Sequence, residues 1–178
     1  MKTIQIMPAL FVITMTMINC STESNNETNE EKNAKGIINL SGDDTSAVGT
    51  SLEVGDIEYG RVDLTGLEDS IVIVPKGATI SEDSPTLSPG DPGYVESIID
   101  FQDSENGFII VAGEEVISMT IVVDGVQRQY GCESNFGTFT VCGEISIDKN
   151  SREAVFTDTT VLNIDTGTIL TMNGTVQW

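Results

Sequence analysis

From Gly36 onward the side chains alternate between apolar and polar with a period of two. In TILTMNGTVQW (168–178), Leu170, Met172, Val176 and Trp178 fall on one face; Ile169, Thr171, Asn173, Thr175 and Gln177 fall on the other. In VISMTIVVDG (116–125), Ile117, Met119, Ile121 and Val123 share a face, and in TFTVCGEISID (138–148) Phe139, Val141, Ile145 and Ile147 do the same. Successive side chains of a strand point to opposite sides of a sheet, so this pattern predicts half-buried strands. The abundance of Thr, Val, Ile and Gly favours strands and turns over helix.

Turn signals separate the strands. Asp124-Gly125 is a two-residue hairpin signal. Asn106-Gly107, Asp148-Lys149-Asn150-Ser151 and Asp165-Thr166-Gly167 mark further breaks. The C-terminal half then reads as strands at about 107–112, 116–124, 126–133, 137–147, 153–164 and 168–177. The N-terminal half offers 36–41, 48–54, 57–65, 70–75 and 94–101. The expected fold is all-β: an antiparallel β-sandwich or a barrel-like meander of about ten short strands. The pattern does not choose between closed and open forms. Residues 75–94 hold four of the five prolines, which bars them from a central strand. They read as a surface excursion, with a binding loop over one end of the β-structure as the alternative.

The N-terminus is built differently. MKTIQIMPALFVITMTMINC has one positive charge at Lys2 and an apolar run from Ile4 to Ile18. The run is short for a membrane span and contains Pro8, so residues 1–19 read as a signal peptide. Met17-Ile18-Asn19-Cys20 closes the run and resembles the lipobox of bacterial lipoproteins. The resemblance covers about the first 20 residues; Met17 and Asn19 stand where that class prefers Leu and a small residue. It implies that Cys20 is acylated and becomes the mature N-terminus. Residues 20–35 are almost all Ser, Thr, Asn, Glu and Lys beyond that cysteine. Such a segment buries too little surface to offset its ordering entropy and reads as a disordered tether. Residues 36–178 form the single all-β domain. The expected location is the cell envelope, at an outer or cell-surface membrane through the lipid anchor, and otherwise secreted.

Export bears on the other two cysteines, Cys132 and Cys142. Zinc needs about four ligands and a redox pair favours a closer spacing, whereas paired cysteines in an oxidising compartment usually bridge. A turn at Asn135-Phe136-Gly137 would set the two cysteines opposite each other on a hairpin, as a structural disulfide.

The chain has no histidine, which removes the commonest general base and most transition-metal sites. No phosphate-cradling Gly loop is present. Residues 36–178 carry 24 acidic and 5 basic side chains, a balance that repels nucleic acid, so no nucleic-acid partner is expected. The acidic runs at Ser41–Asp44, Ser81–Ser84 and Asp100–Gly107 read as solvated turns; no cofactor is assigned, with Ca²⁺ as the weak alternative. Trp178 reads as core, while Tyr59, Tyr94 and Tyr130 are candidate surface contacts. Tyr130 shares a face with Arg128 and lies opposite Glu144 on the expected hairpin, giving one polar patch with an aromatic, a candidate binding patch. No catalytic residue is assigned. The reading is a non-catalytic binding or adhesion protein, held to a membrane by its lipid and taking a glycan or protein ligand. The alternatives are a carboxylate-based polysaccharide hydrolase and, if the strands close into a barrel, a small-ligand carrier.

Overall fold

The computed structural model describes residues 34–88, 94, 97–133 and 142–178. The elements run β1 (Lys35–Gly42), α1 (Thr45–Val48), β2 (Ser51–Tyr59), α2 (Val62–Thr65), β3 (Ser70–Pro75), β4 (Thr79–Ile80), β5 (Ile99–Asp100), β6 (Gly107–Gly113), β7 (Val116–Val123), β8 (Val126–Glu133), β9 (Glu144–Asp148), β10 (Glu153–Asn163) and β11 (Ile169–Gln177). The signal segment 1–19 and Cys20 lie outside the described residues. Of the expected tether, Ala34 and Lys35 are described, and Lys35 already belongs to β1.

The long strands pair antiparallel in the order β1-β2-β3-β6-β7-β8-β10-β11, and β11 pairs back onto β1. The sheet is therefore a closed eight-stranded barrel, which settles the alternative that period-two patterning left open. Closure leaves the eight barrel strands without a terminal edge; among the described residues β9, paired with β10, ends the sheet. The alternation supplies the interior. Ile38, Ile71, Ile73, Ile110, Met119, Leu170 and Met172 are all 1% exposed or less. A barrel of this strand number is about wide enough for side chains to fill, and these residues fill it. Each such side chain contributes roughly 1.5–3 kcal/mol on burial.

Several boundaries differ from the pattern-based expectation. The segments expected at 48–54 and 57–65 supply one strand, β2, from Ser51 to Tyr59, while Val48 ends α1 and Val62–Thr65 is the helix α2; the pairing of β2 with β3 shifts between Val54 and Asp56. The extra residue is Gly55, where a Cβ would sit 2.3 Å from the Pro75 carbonyl oxygen. A glycine bulge therefore bends the strand where two backbones touch. The segment expected at 94–101 reduces to β5. The hairpin expected at Asp124-Gly125 is present, with φ of 51° and 73°, the positive values a type I′ turn requires.

The largest departure concerns the cysteines. β8 and β9 do not pair with each other. Both lie along β10, β8 at Gly131↔Leu162 and Tyr130↔Asn163 and β9 from Glu144↔Thr157 to Asp148↔Glu153. Since β11 occupies the other edge of β10 from Glu153 to Leu162, β8 and β9 follow one another along the same edge. Between them the Cys142 carbonyl accepts the Thr160 amide at 2.9 Å. Cys142 thus stands on this line between β8 and β9. The turn expected at Asn135-Phe136-Gly137 lies outside the described residues.

The proline-bearing excursion is anchored to the barrel's side. β3 is buried on both faces. Ile71 and Ile73 point inward, while Val72 and Val74 face a second apolar cluster with Ala78, Ile80, Ile98 and Ile99. Asp56, 2% exposed, accepts the Ile57 and Ile80 amides at 2.9 Å each. A buried carboxylate needs such donors to offset its lost hydration, and here they tie β4 to the β2 bulge. Arg61 adds a second tie, donating to the Ser81 carbonyl at 2.6 Å and pairing with Asp63.

Candidate functional site

One end of the barrel carries a polar cluster set into an otherwise apolar wall. β1 ends at Gly42, where φ is 122° and a Cβ would lie 2.2 Å from the Ile169 carbonyl oxygen, so only glycine passes here without strain. The chain then turns into α1, whose Val48 is buried against the core. Asp44 precedes α1 but its side chain does not cap it. Instead Oδ2 of Asp44 accepts the Tyr130 hydroxyl at 2.9 Å and Nδ2 of Asn163 at 2.8 Å. Oδ1 of Asn163 accepts the amides of Asp165 and Thr166, which fixes the amide's orientation and holds the β10–β11 turn.

The electrostatics follow from these contacts. Burial opposes the charge on Asp44. Hydrogen bonds from Asn163, Thr168 and Tyr130, with the Arg128 guanidinium nearby, outweigh it and hold the carboxyl below its usual range. Burial first, and then the hydrogen bond to Asp44 and its charge, push the Tyr130 phenol up to about 12. At neutral pH the carboxylate is ionised and the phenol protonated. The pair is therefore suited to a fixed clasp and poorly matched to proton transfer, which favours a group titrating near the working pH.

The sequence-derived site residues are distributed as follows. Cys132 and Cys142 form a disulfide with Cα atoms 4.9 Å apart. It joins the end of β8 to the residues that lead into β9; the turn expected between the two cysteines lies outside the described residues. Tyr130 is 1% exposed and is part of the barrel interior, not a surface contact. Arg128 shares its face, half-buried, with its charge felt by Asp44 and Tyr130. Glu144 is exposed and opposite Thr157, six residues along β10 from the Tyr130 partner Asn163. At a strand's rise this is roughly 20 Å away, so Glu144 is not brought to the other two. Trp178 is half-buried and stacks on Tyr59 with centroids 6.1 Å apart.

Comparison of the chain with protein-family models, with curated proteins and with solved structures finds no match. Function must therefore be argued from this molecule's own geometry.

The acidic segments have local roles. Asp103 accepts the amides of Glu105 and Asn106 through Oδ1, and Asn106 in turn takes the Asp124 amide. This joins the loop before β6 to the β7–β8 turn. Among the described residues no three His, Cys, Asp or Glu side chains converge as a metal-binding set. At the opposite end of the barrel from Asp44, Glu68, Asp69, Glu114, Glu115 and Glu133 line an open cleft of about 410 Å³ with Leu67 and Val116. A wider groove of about 780 Å³ crosses the outer wall beside Ala34, Lys35, Ile37, Glu53 and Lys76.

Sequence reasoning missed Asp44 and Asn163 as partners of Tyr130. One signal was available. Asn163 continues the inward-facing series Val161–Asn163, and a polar residue in an inward register needs a buried partner. The identity of that partner, 119 residues away, is a product of closure and has no local signature.

Proposed function

We propose that this chain is an exported, lipid-anchored, non-catalytic binding domain of a cell envelope. Cys20 carries the acyl chains, residues 21–33 span from the membrane, and the barrel presents its surface to a glycan or protein. The observation that best supports this reading is the closed barrel with its interior filled by aliphatic side chains. A packed body offers its outer wall and ends for recognition, and the Asp44–Tyr130 pair at one end holds fixed charge states at neutral pH. The barrel begins at Lys35, directly after the polar stretch, and Lys35 pairs with Gln177 at the chain's other end. Tether and C-terminus thus share one region, and the end bearing Asp44, Val126, Ile164 and Ile169 lies away from it. Val126, Ile164 and Ile169 are between 42% and 53% exposed, which supports recognition at the end remote from the tether.

The test has two arms. The full chain is expressed with its leader in a bacterial host, and the N-terminal peptide is examined by mass spectrometry. A diacyl or triacyl group on Cys20 is expected; an unmodified Cys20, or a mature chain starting elsewhere, overturns the anchoring. Residues 34–178 are then screened against envelope glycans and surface proteins by thermal shift, where a ligand bound by the native state raises Tm. Turnover of any glycan in that screen overturns the non-catalytic reading.

A further inference from the structure

The join between β8 and β10 is the shortest in the barrel wall among the described residues. Among the described residues its register consists of Gly131↔Leu162 and Tyr130↔Asn163, extended by the Ile164 amide to the Gln129 carbonyl. The neighbouring join β7–β8 runs in register from Val116↔Glu133 to Val123↔Val126, and β10–β11 extends over most of its strands. Two fasteners lie at the ends of this short join. At one end Asp44 grips Tyr130 of β8 and Asn163 of β10 through a single oxygen. At the other, the disulfide ties Cys132 of β8 to Cys142, whose carbonyl is bonded to Thr160 of β10. Local opening in proteins follows the regions with the fewest supporting contacts.

We propose that the β8–β10 join is a redox latch, a line along which the barrel opens locally, held by Asp44 at one end and by the Cys132–Cys142 disulfide at the other. The sulfurs belong to residues 2% and 0% exposed, so a reductant reaches them when the join parts. A dithiol reductant then attacks one sulfur as its thiolate and forms a mixed disulfide. Its second thiol displaces the remaining cysteine. The S–S bond of the protein is broken, two cysteine thiols form, and the dithiol leaves as its own disulfide, two electrons having passed to the protein. With the disulfide gone, Asp44 and the few backbone bonds of the join are left to hold it, and opening becomes more frequent.

The rate of disulfide reduction by dithiothreitol under native conditions tests this. Asp44→Asn, which weakens the far fastener, is expected to speed reduction on the order of tenfold. Ile110→Ala, a cavity in the core on β6, which pairs with β3 and β7 and with neither strand of the join, is expected to leave the rate within about twofold although it lowers global stability. Acceleration of both in proportion to lost stability means that reduction needs global unfolding and overturns the latch; no acceleration by Asp44→Asn also overturns it. A second measurement uses the unaltered chain. After reduction, hydrogen exchange should quicken at the Thr160 and Ile164 amides, which bond across the join, and stay slow at Ile110 on the far wall. Loss of protection at all three together makes the disulfide a condition of folding, and the latch is then wrong.

Discussion

Tyr130 and Asn163 face each other across β8 and β10 and donate to the same oxygen of Asp44. The carboxylate bridges a register pair at the shortest join in the barrel, with the β1–α1 connection clamped over both. Residues far apart in sequence thereby fix one end of the closed wall.

Tyr130→Phe removes one donor and preserves the ring. Chemical denaturation should show a loss of about 1.5–2 kcal/mol, the lower end for a hydrogen bond to a charged group, because Asp44 keeps its bond from Asn163. Asn163→Ala should cost more, about 2–3 kcal/mol, because the Asp165 and Thr166 amides lose their acceptor too. Equal costs would show that Oδ1 of Asn163 contributes nothing.

The pH dependence has a definite sign at both ends. The folded carboxyl of Asp44 titrates below its unfolded value, so its contribution is present above about pH 4 and is lost as pH falls through the folded value. Asp63, Asp103 and Asp148 are shifted in the same direction, so the informative quantity is a difference. The stability gap between the unaltered chain and Asp44→Asn should shrink on acidification below pH 4. Tyr130 works in the alkaline direction. Its contribution is complete below the unfolded value near 10 and fades as pH rises towards about 12. Denaturation of Tyr130→Phe should therefore lack that part of the alkaline loss.

Packing inside the barrel sets a larger scale. Ile110→Ala and Met172→Ala each delete a side chain that is fully buried. Each should lower stability by about 2–5 kcal/mol, depending on how far the wall relaxes into the cavity. Losses below about 1 kcal/mol would place these residues outside a packed interior.

Gly42→Ala tests backbone fit and not packing. The new Cβ would collide with the Ile169 carbonyl and φ is 122°, so Tm should fall by several degrees or more. An unchanged Tm would mean that β1 and β11 lie farther apart at this point.

The strands were legible because one physical rule governs each of them. The expected bounds at 107–112, 116–124, 126–133, 153–164 and 168–177 lie within about a residue of β6, β7, β8, β10 and β11, and Ile117, Met119, Leu170 and Met172 point inward as the alternation requires. Closure was not legible, since a sandwich and a barrel bury the same alternating face. The β8–β10 pairing was hidden by a general bias: a hairpin is the simplest partner for consecutive strands, and the Cys132–Cys142 spacing fitted one. In the structure β9 extends the line of β8 along β10, and the disulfide ties the end of β8 to Cys142 on that same line. The supposed patch of Arg128, Tyr130 and Glu144 failed for that reason, because it assumed β8 and β9 to be neighbours. The double burial of β3 was visible as the unbroken apolar run Ile71–Val74, a pattern that signals cover on both faces, yet its cover from Ala78, Ile80, Ile98 and Ile99 lies in the proline-bearing stretch and its flank.

Closure of the barrel is the claim on which the clasp, the packed interior and the latch all rest. Inter-strand nuclear Overhauser contacts in isotope-labelled protein test it most directly. A closed barrel predicts backbone contacts between Gly131 and Leu162 across β8–β10 and between Leu40 and Met172 across β1–β11 in the same sample. Absence of either set, with fast amide exchange along the strand left unpaired, would make the sheet open and contradict the account.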